Sequence, residues 1–332
     1  MLDLPAQFAL EPIRLPREQM IAFAERFDPQ PFHLDETAAA GTLLGGLAAS
    51  AWYVCAKVSA ALRAMLSTRG LSAEVAGADQ IILFSPIRAD GSLIGTVRVE
   101  PVRSCACGGH GTDIMVDVSQ AGGNCVARMA LTFLIEDGSS SSAQDAAVCS
   151  FREGRKARNS ARRRIDDIPF FEHIEIGDEI DLGAYAFGAS EIDDFQALTG
   201  DELAGSGKKP SCVPPWHLPA AWMQRMVKHY AGTTAKYDAN KQPFPRLGPA
   251  AGFKQLRWHR HVAIGETIFF RGWAERKLII PSQQDWGLLV VGAEGADASG
   301  NTVVSFYPQM LLERAHTRGS GLGRSETAGL LA

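Results

Sequence analysis

No run of this sequence is apolar for long enough to cross a bilayer. The longest apolar-leaning stretch, Leu43 to Leu66, is interrupted by Lys57, Arg63 and several small polar residues. The first fifteen residues read unlike a secretory leader, since they lack a basic start and carry Asp3 and Glu11. Neither sign of charge dominates: 33 Lys and Arg stand against 37 Asp and Glu, for a net charge of -4. That balance gives no electrostatic footprint for nucleic acid and no basic excess for an anionic membrane, so neither partner is expected. Cysteine is sparse and unpatterned, with six residues, no CxxC pair and no histidine at metal-ligand spacing. Neither a zinc site nor a disulfide framework is legible, and no metal is expected. Cys55 and Cys125 lie in apolar periodic segments, which fits small buried thiols of a reducing, cytoplasmic setting.

What the sequence has is core. Its 332 residues, 46% apolar and 21% charged, suffice for two domains of ordinary size. Phe8 to Leu15 reads as a short strand, and Pro16-Arg17-Glu18 opens a helix with Met20, Ile21, Phe23, Ala24 and Phe27 at helical spacing. Asp28-Pro29-Gln30-Pro31-Phe32-His33 ends that helix, because two prolines in six residues forbid a continuous one. Gly45-Gly46 then leads into a second helix, to about Leu66, that is apolar on nearly every side and therefore wrapped by other structure. From Val75 to Glu136 the period switches to two, giving four strand-like segments: Ile81 to Phe84, Ser92 to Val99, Asp113 to Val118 and Val126 to Ile135. Their short connections favour antiparallel neighbours, and a long helix followed by such strands suggests a curved sheet around it.

The same order returns. Two strand-like pieces lie between Phe170 and Ala186, a helix starts at Glu191 and ends near Asp201, and a helix from about Trp216 to Tyr230 precedes a second strand series from Gly252 to Leu312. Ala221-Trp222 registers on Ala51-Trp52, and Gly265 on Gly91 at the equivalent turn, so the chain reads as an internal duplication. The expected division is an N-terminal domain over 1–137, a basic linker over 138–165, a C-terminal domain over 166–315 and a Gly- and Ser-rich tail over 316–332.

Asp28 and His33 place a carboxylate and an imidazole five residues apart on a stiffened loop. Such a pair can orient the ring or share a water with it, which is acid/base geometry; equally, Asp28 can cap the helix and His33 can make a local turn bond. The second copy separates the two readings. It keeps Asp201 and the buried helix but has Ser206, not histidine, five residues on, so the fold tolerates rebuilding that loop and the first copy is better explained by chemistry.

The Asp28/Pro31/His33 framework, with Ala39 after it and the run from Gly45 to Ser50, resembles the MaoC-like (R)-specific enoyl-CoA hydratase family. Gln30 stands where that family's signature has Asn, and Phe32 where it has an aliphatic residue. The resemblance spans both halves and implies an α+β fold, a tandem or double hot-dog in which each curved antiparallel sheet wraps a long helix. It implies reversible addition of water to a 2-enoyl-CoA, with Asp28 and His33 catalytic and coenzyme A present only as part of the substrate. The thioester oxygen is then expected at Gly46, Ser50 and Ala51, where a helix N-terminus offers unpaired donors; Ser50 can alternatively serve close packing. Gln30, Trp52 and His217 are expected to face the substrate, although Trp52 can be core and His217 a packed or capping residue. A silent acyl-thioester-binding module and an acyl-CoA thioesterase are the alternatives. An acyl-CoA is the expected partner; a double hot-dog imitates a dimer, so a homo-oligomer is compatible but not required.

Overall fold

The computed structural model describes residues 4–101, 103–104, 110–120, 123–137, 163–201 and 212–315. In the first half, strands β1 (Gln7–Ala9) and β2 (Ile13–Arg14) precede helices α1 (Arg17–Phe27), α2 (Pro31–Leu34), α3 (Glu36–Ala40) and α4 (Ala51–Ser67). Then come β3 (Leu71–Leu83), β4 (Ser92–Val99), the two-residue β5 (Arg103–Ser104), β6 (His110–Ser119) and β7 (Cys125–Asp137). The second half holds β8 (Glu179–Ala186), α5 (Ala189–Thr199), α6 (His217–Ala239), β9 (Leu247–Trp258), β10 (Thr267–Ile279), β11 (Trp286–Ala296) and β12 (Thr302–Glu313).

All these strands form one antiparallel sheet in the order β1-β4-β6-β7-β3-β9-β12-β11-β10-β8, with β2 on β4 and β5 on β6. Read inward from either edge, the order is the same, so the duplication legible in the sequence is a duplication of topology. The halves join at β3 and β9, from Gly77 opposite Arg257 to Ile82 opposite Gly252. Gly252 has φ 138°, and a Cβ there would lie 2.0 Å from the carbonyl oxygen of Ile81, so only glycine allows the two central strands to approach.

The two long helices pack against this sheet. α4 runs along β3 and buries Trp52, Val54, Val58, Leu62 and Leu66, side chains whose burial contributes about 1.5–3 kcal/mol each. α6 crosses β8, β10 and β11.

Several expected boundaries move. The strand expected over Phe8 to Leu15 is two pieces, separated around Pro12, which has no N–H for the ladder. The piece at Ile81 is the end of a thirteen-residue strand, and the first piece after Phe170 is a single tight turn, Phe171–His173. α6 continues to Ala239 because its last turns are polar and half exposed, and so carry no apolar periodicity to read. Most of the expected linker, 138–162, and the expected tail over 316–332 lie outside the described residues. The last linker residues belong to the second half: Arg163 makes two 2.7 Å bonds to the Asp178 carboxylate, and Arg164 bridges Glu179.

Candidate active site

Asp28 is where α1 stops. Its backbone leaves the helical region with φ -153° and ψ 65°, and Pro31 opens the four-residue α2, which carries Phe32 and His33 inward. Both Asp28 and His33 are buried. The Asp28 Oδ1 accepts a 2.8 Å bond from the Gln30 amide, and Oδ2 accepts a 2.7 Å bond from the Ser50 hydroxyl. His33 Nδ1 lies 2.7 Å from the Ala48 carbonyl oxygen, which can only accept, so that nitrogen carries a proton. In the neutral ring Nε2 is then an unprotonated acceptor, and it faces Asp28 Oδ2 at 3.4 Å. Two acceptors aimed at each other need a proton between them or a molecule that donates to both, and water is such a molecule.

The loop that carries these partners is itself fixed. Arg88 donates to the carbonyls of Leu44, Gly46 and Leu47, while Glu36 accepts from the Leu47 N–H and pairs with Arg17. The Leu47 N–H and Arg17 together hold the Glu36 carboxyl below its ordinary pKa. The Ala48 N–H donates to Phe32 and the Ala49 N–H to Ile87, so the strip from 44 to 49 is tied to α2 on one side and to the segment after β3 on the other.

α4 begins at Ala51 with Ser50 as its N-cap, the Ser50 oxygen accepting from the Trp52 N–H. Ser50 therefore has two roles, capping the helix and holding Asp28. The Ala51 N–H has no acceptor among the described residues, as expected for an N-terminal donor, and Ala51 lines the cavity.

That cavity, about 360 Å³, lies between the halves. Asp28, Gln30, His33 and Ser85 are its polar side chains; the rest of its lining is apolar and comes from both halves. Trp52, stacked on Phe253 with centroids 4.6 Å apart, forms part of the wall.

Two expected site residues stand elsewhere. Gly46 does not line the cavity: it sits in a turn with φ 149°, four residues before the helix cap, and its carbonyl is held by Arg88. The helix does not start at the glycine pair but at the Ser50 cap, so the donor falls to Ala51. His217 is fully buried outside the cavity, stacked on Phe195 and set edge-on to Phe27 and Phe187, with Nε2 3.3 Å from the Tyr185 hydroxyl. Burial lowers its pKa to about 3, so the ring is neutral and part of the core. The sequence missed the second half's share of the cavity, Met223 and the run from Pro249 to Phe253 among others. The Pro-Ala-Ala-Gly string over 249–252 is its visible signal, small residues where a strand is expected to pack.

No family model and no curated protein matches the sequence. Among solved structures, the chain is similar to a candidate MaoC domain protein dehydratase from Chloroflexus aurantiacus, with 13% identity, TM-score 0.69, and 94% of this chain and 96% of that one covered. It is similar to a MaoC-like dehydratase at 18% identity and TM-score 0.63, over 94% and 98%. A conserved hypothetical protein of Mycobacterium tuberculosis, described as having a double hotdog fold, aligns at 11% identity and TM-score 0.60, over 93% and 97%. At these identities the likeness is one of architecture, and with the palindromic strand order it establishes that the chain has the double hot-dog fold.

Proposed function

We propose that the protein is a MaoC-like hydro-lyase that reversibly adds water to the double bond of a 2-enoyl-CoA, giving a 3-hydroxyacyl-CoA. The observation that carries this reading is the buried Asp28 and His33 pair at the polar edge of an otherwise apolar cavity, beside the Ala51 N–H, which has no acceptor among the described residues. Coenzyme A enters as part of the substrate, and no further cofactor is invoked.

The chemistry follows from the hydrogen bonds. A water that donates to both Asp28 Oδ2 and His33 Nε2 is held with its oxygen free to attack. As that oxygen bonds C3, one water proton passes to the pair, and the same pair returns a proton to C2, so the elements of one water are added. Charge that builds on the thioester oxygen meets the Ala51 N–H at the positive end of α4. The Ala48 carbonyl keeps His33 in one tautomer, and Ser50 and Gln30 hold the carboxylate against rotation.

The test is hydration of 2-enoyl-CoA thioesters by the whole chain, followed by loss of the conjugated double bond. Asp28→Asn and His33→Gln should each lower the rate on the order of 10²–10⁴-fold with the fold retained. Release of free thiol in place of hydration would indicate a thioesterase, and equal turnover by wild type and both variants would overturn the assignment of the pair.

A further inference from the structure

Three of the bonds behind His33 form one line. His33 Nδ1 donates to the Ala48 carbonyl at 2.7 Å. The peptide group that carries this carbonyl donates in turn, through the Ala49 N–H, to the Ile87 carbonyl at 2.8 Å. The peptide group of that second carbonyl donates, through the Arg88 N–H, to the side-chain oxygen of Gln120 at 3.0 Å. In a trans peptide the C=O and N–H point in opposite directions, so every donor in the line points away from His33. Each bond polarises the next in the same sense, which makes the Ala48 oxygen a stronger acceptor than an isolated carbonyl.

Gln120, one residue past β6, closes the line. Its amide grips Arg88 at both ends, the nitrogen donating to the Arg88 carbonyl at 2.6 Å. Gly91 leaves room for that grip, since a Cβ there would lie 2.8 Å from the Gln120 nitrogen. Gln120 does not line the cavity, and the links between it and the ring are main chain. It is therefore the one side chain behind His33 through which the line can be altered.

We propose, resting on the hydratase reading above, that Gln120 is a positioning residue for His33: through this line it fixes the Nδ1–H tautomer and so leaves Nε2 free to take the water proton. A histidine in water favours the proton on Nε2, so the other tautomer has to be held by the bond that Nδ1 makes. In the second half the matching peptide group, between Val262 and Ala263, also has both ends bonded, its N–H by the Glu266 carboxylate at 3.0 Å, although position 206 is serine. The clamp thus serves folding in both halves. Loss of stability does not test the proposal, whereas the state of the His33 ring does.

Nitrogen-15 NMR of the whole chain labelled at histidine distinguishes the two tautomers without any turnover; of the eight histidines, His33 is the signal lost in His33→Gln. Wild type should carry the proton on Nδ1. In Gln120→Leu a share of the Nε2–H tautomer should appear, whereas Gln120→Glu, which keeps the acceptor and loses the donor, should hold the wild-type tautomer. A catalytic histidine left in the wrong tautomer loses about 10⁴-fold in rate, and here only the hold on the carbonyl is loosened, so kcat of Gln120→Leu should fall roughly tenfold with KM within about twofold. An unchanged tautomer in folded Gln120→Leu, a Glu variant as shifted as the Leu variant, or a wild-type proton on Nε2 overturns the proposal. A tautomer shift in a chain whose wild type hydrates nothing removes the hydratase reading and leaves Gln120 as the residue that sets the ring. If Gln120→Leu fails to fold, Gln120→Asn, whose amide is withdrawn by one methylene, is read by the same criterion.

Discussion

The two halves place a cavity at equivalent positions, and only one of them is open. In the first, the start of α4 and the end of β3 face β9 and β12, enclosing about 360 Å³. In the second, the start of α6 and the end of β9 face β3 and β7, enclosing about 20 Å³ around Trp258, Leu218 and Val75. The backbone shows how the second was closed. The bond from the Ala49 N–H to Ile87 has its counterpart in the bond from Val213 to Val262, both 2.8 Å. Counting forward from each, Pro214 and Pro215 stand where Ser50 and Ala51 stand, and Trp216 stands where Trp52 stands. The hydroxyl that holds the Asp28 carboxylate and the N–H of the cavity-lining Ala51 are both replaced by proline, which has neither. Asp201 survives, but Arg63 reaches across from α4 to pair with it at 2.7 Å, and Trp216 closes the space by bonding Ser59 of α4. The same carboxylate at the same helix end lines the cavity and faces His33 Nε2 in one half, and is a structural ion pair with Arg63 in the other.

Substitution at the two aspartates breaks this comparison most directly. Asp28→Asn is expected to lower hydration on the order of 10²–10⁴-fold, whereas Asp201→Asn should leave the rate within about threefold of wild type. A comparable loss in both would mean that the second half takes part in the reaction. The next effect is on stability. Arg63→Met strands the Asp201 charge in a fully buried site, where burial already raises its pKa against the pull of Arg63. Unfolding in urea should show a loss of about 3–5 kcal/mol, largely restored when Asp201→Asn is added. A double variant no more stable than Arg63→Met alone would show that the pair is not what Arg63 contributes.

Much of this contrast was legible in the sequence, for identifiable reasons. The buried helices, the strand series and the repeat follow from periodicity and order, which local propensity and burial impose on any chain. Asp28 and His33 were visible because prolines frame them and because the second copy lacks the histidine. The helix start was not, since Gly45-Gly46 looks like a breaker, while the bond from Ser50 to Asp28 that fixes the cap spans 22 residues. The Trp52 to Trp222 register also misled. Ala51-Trp52 and Ala221-Trp222 match as letters, but α6 begins four residues before that Ala-Trp pair, and the backbone bonds place Trp216 opposite Trp52. Val213-Pro214-Pro215-Trp216 against Ala49-Ser50-Ala51-Trp52 was the better alignment, and the prolines disguised it.

Ser50 sharpens the comparison at a smaller scale. Ser50→Ala removes both the cap on α4 and one of the two bonds that orient the Asp28 carboxylate, while leaving Asp28 and His33 themselves in place. Loss of the cap should cost about 1 kcal/mol in thermal or chemical unfolding. The looser carboxylate should lower the hydration rate by roughly tenfold, about 1.4 kcal/mol. Ser50→Thr, which keeps the hydroxyl, should recover most of both. A variant that loses stability and keeps the full rate would confine Ser50 to the cap.

The smallest effect lies in the closed half. His217 is surrounded by Phe27, Phe187 and Phe195, with the Tyr185 hydroxyl as its polar neighbour and Glu191 beyond that hydroxyl. Its pKa is lowered to about 3 in the folded chain, against 6.5 for an ordinary histidine. Between those values the unfolded chain binds a proton that the folded chain refuses, so stability rises with pH across the window and falls on acidification. From pH 7 to pH 6 the loss from this group is about 0.7 kcal/mol, and it steepens below pH 6. Asp201, with its raised pKa, acts in the opposite direction near and above pH 4, so the two must be separated by substitution. His217→Phe keeps the aromatic cage and removes the titration, and its unfolding free energy should lose this part of the acid-side slope between pH 7 and pH 5. An unchanged slope would place the acid sensitivity of the fold at another group.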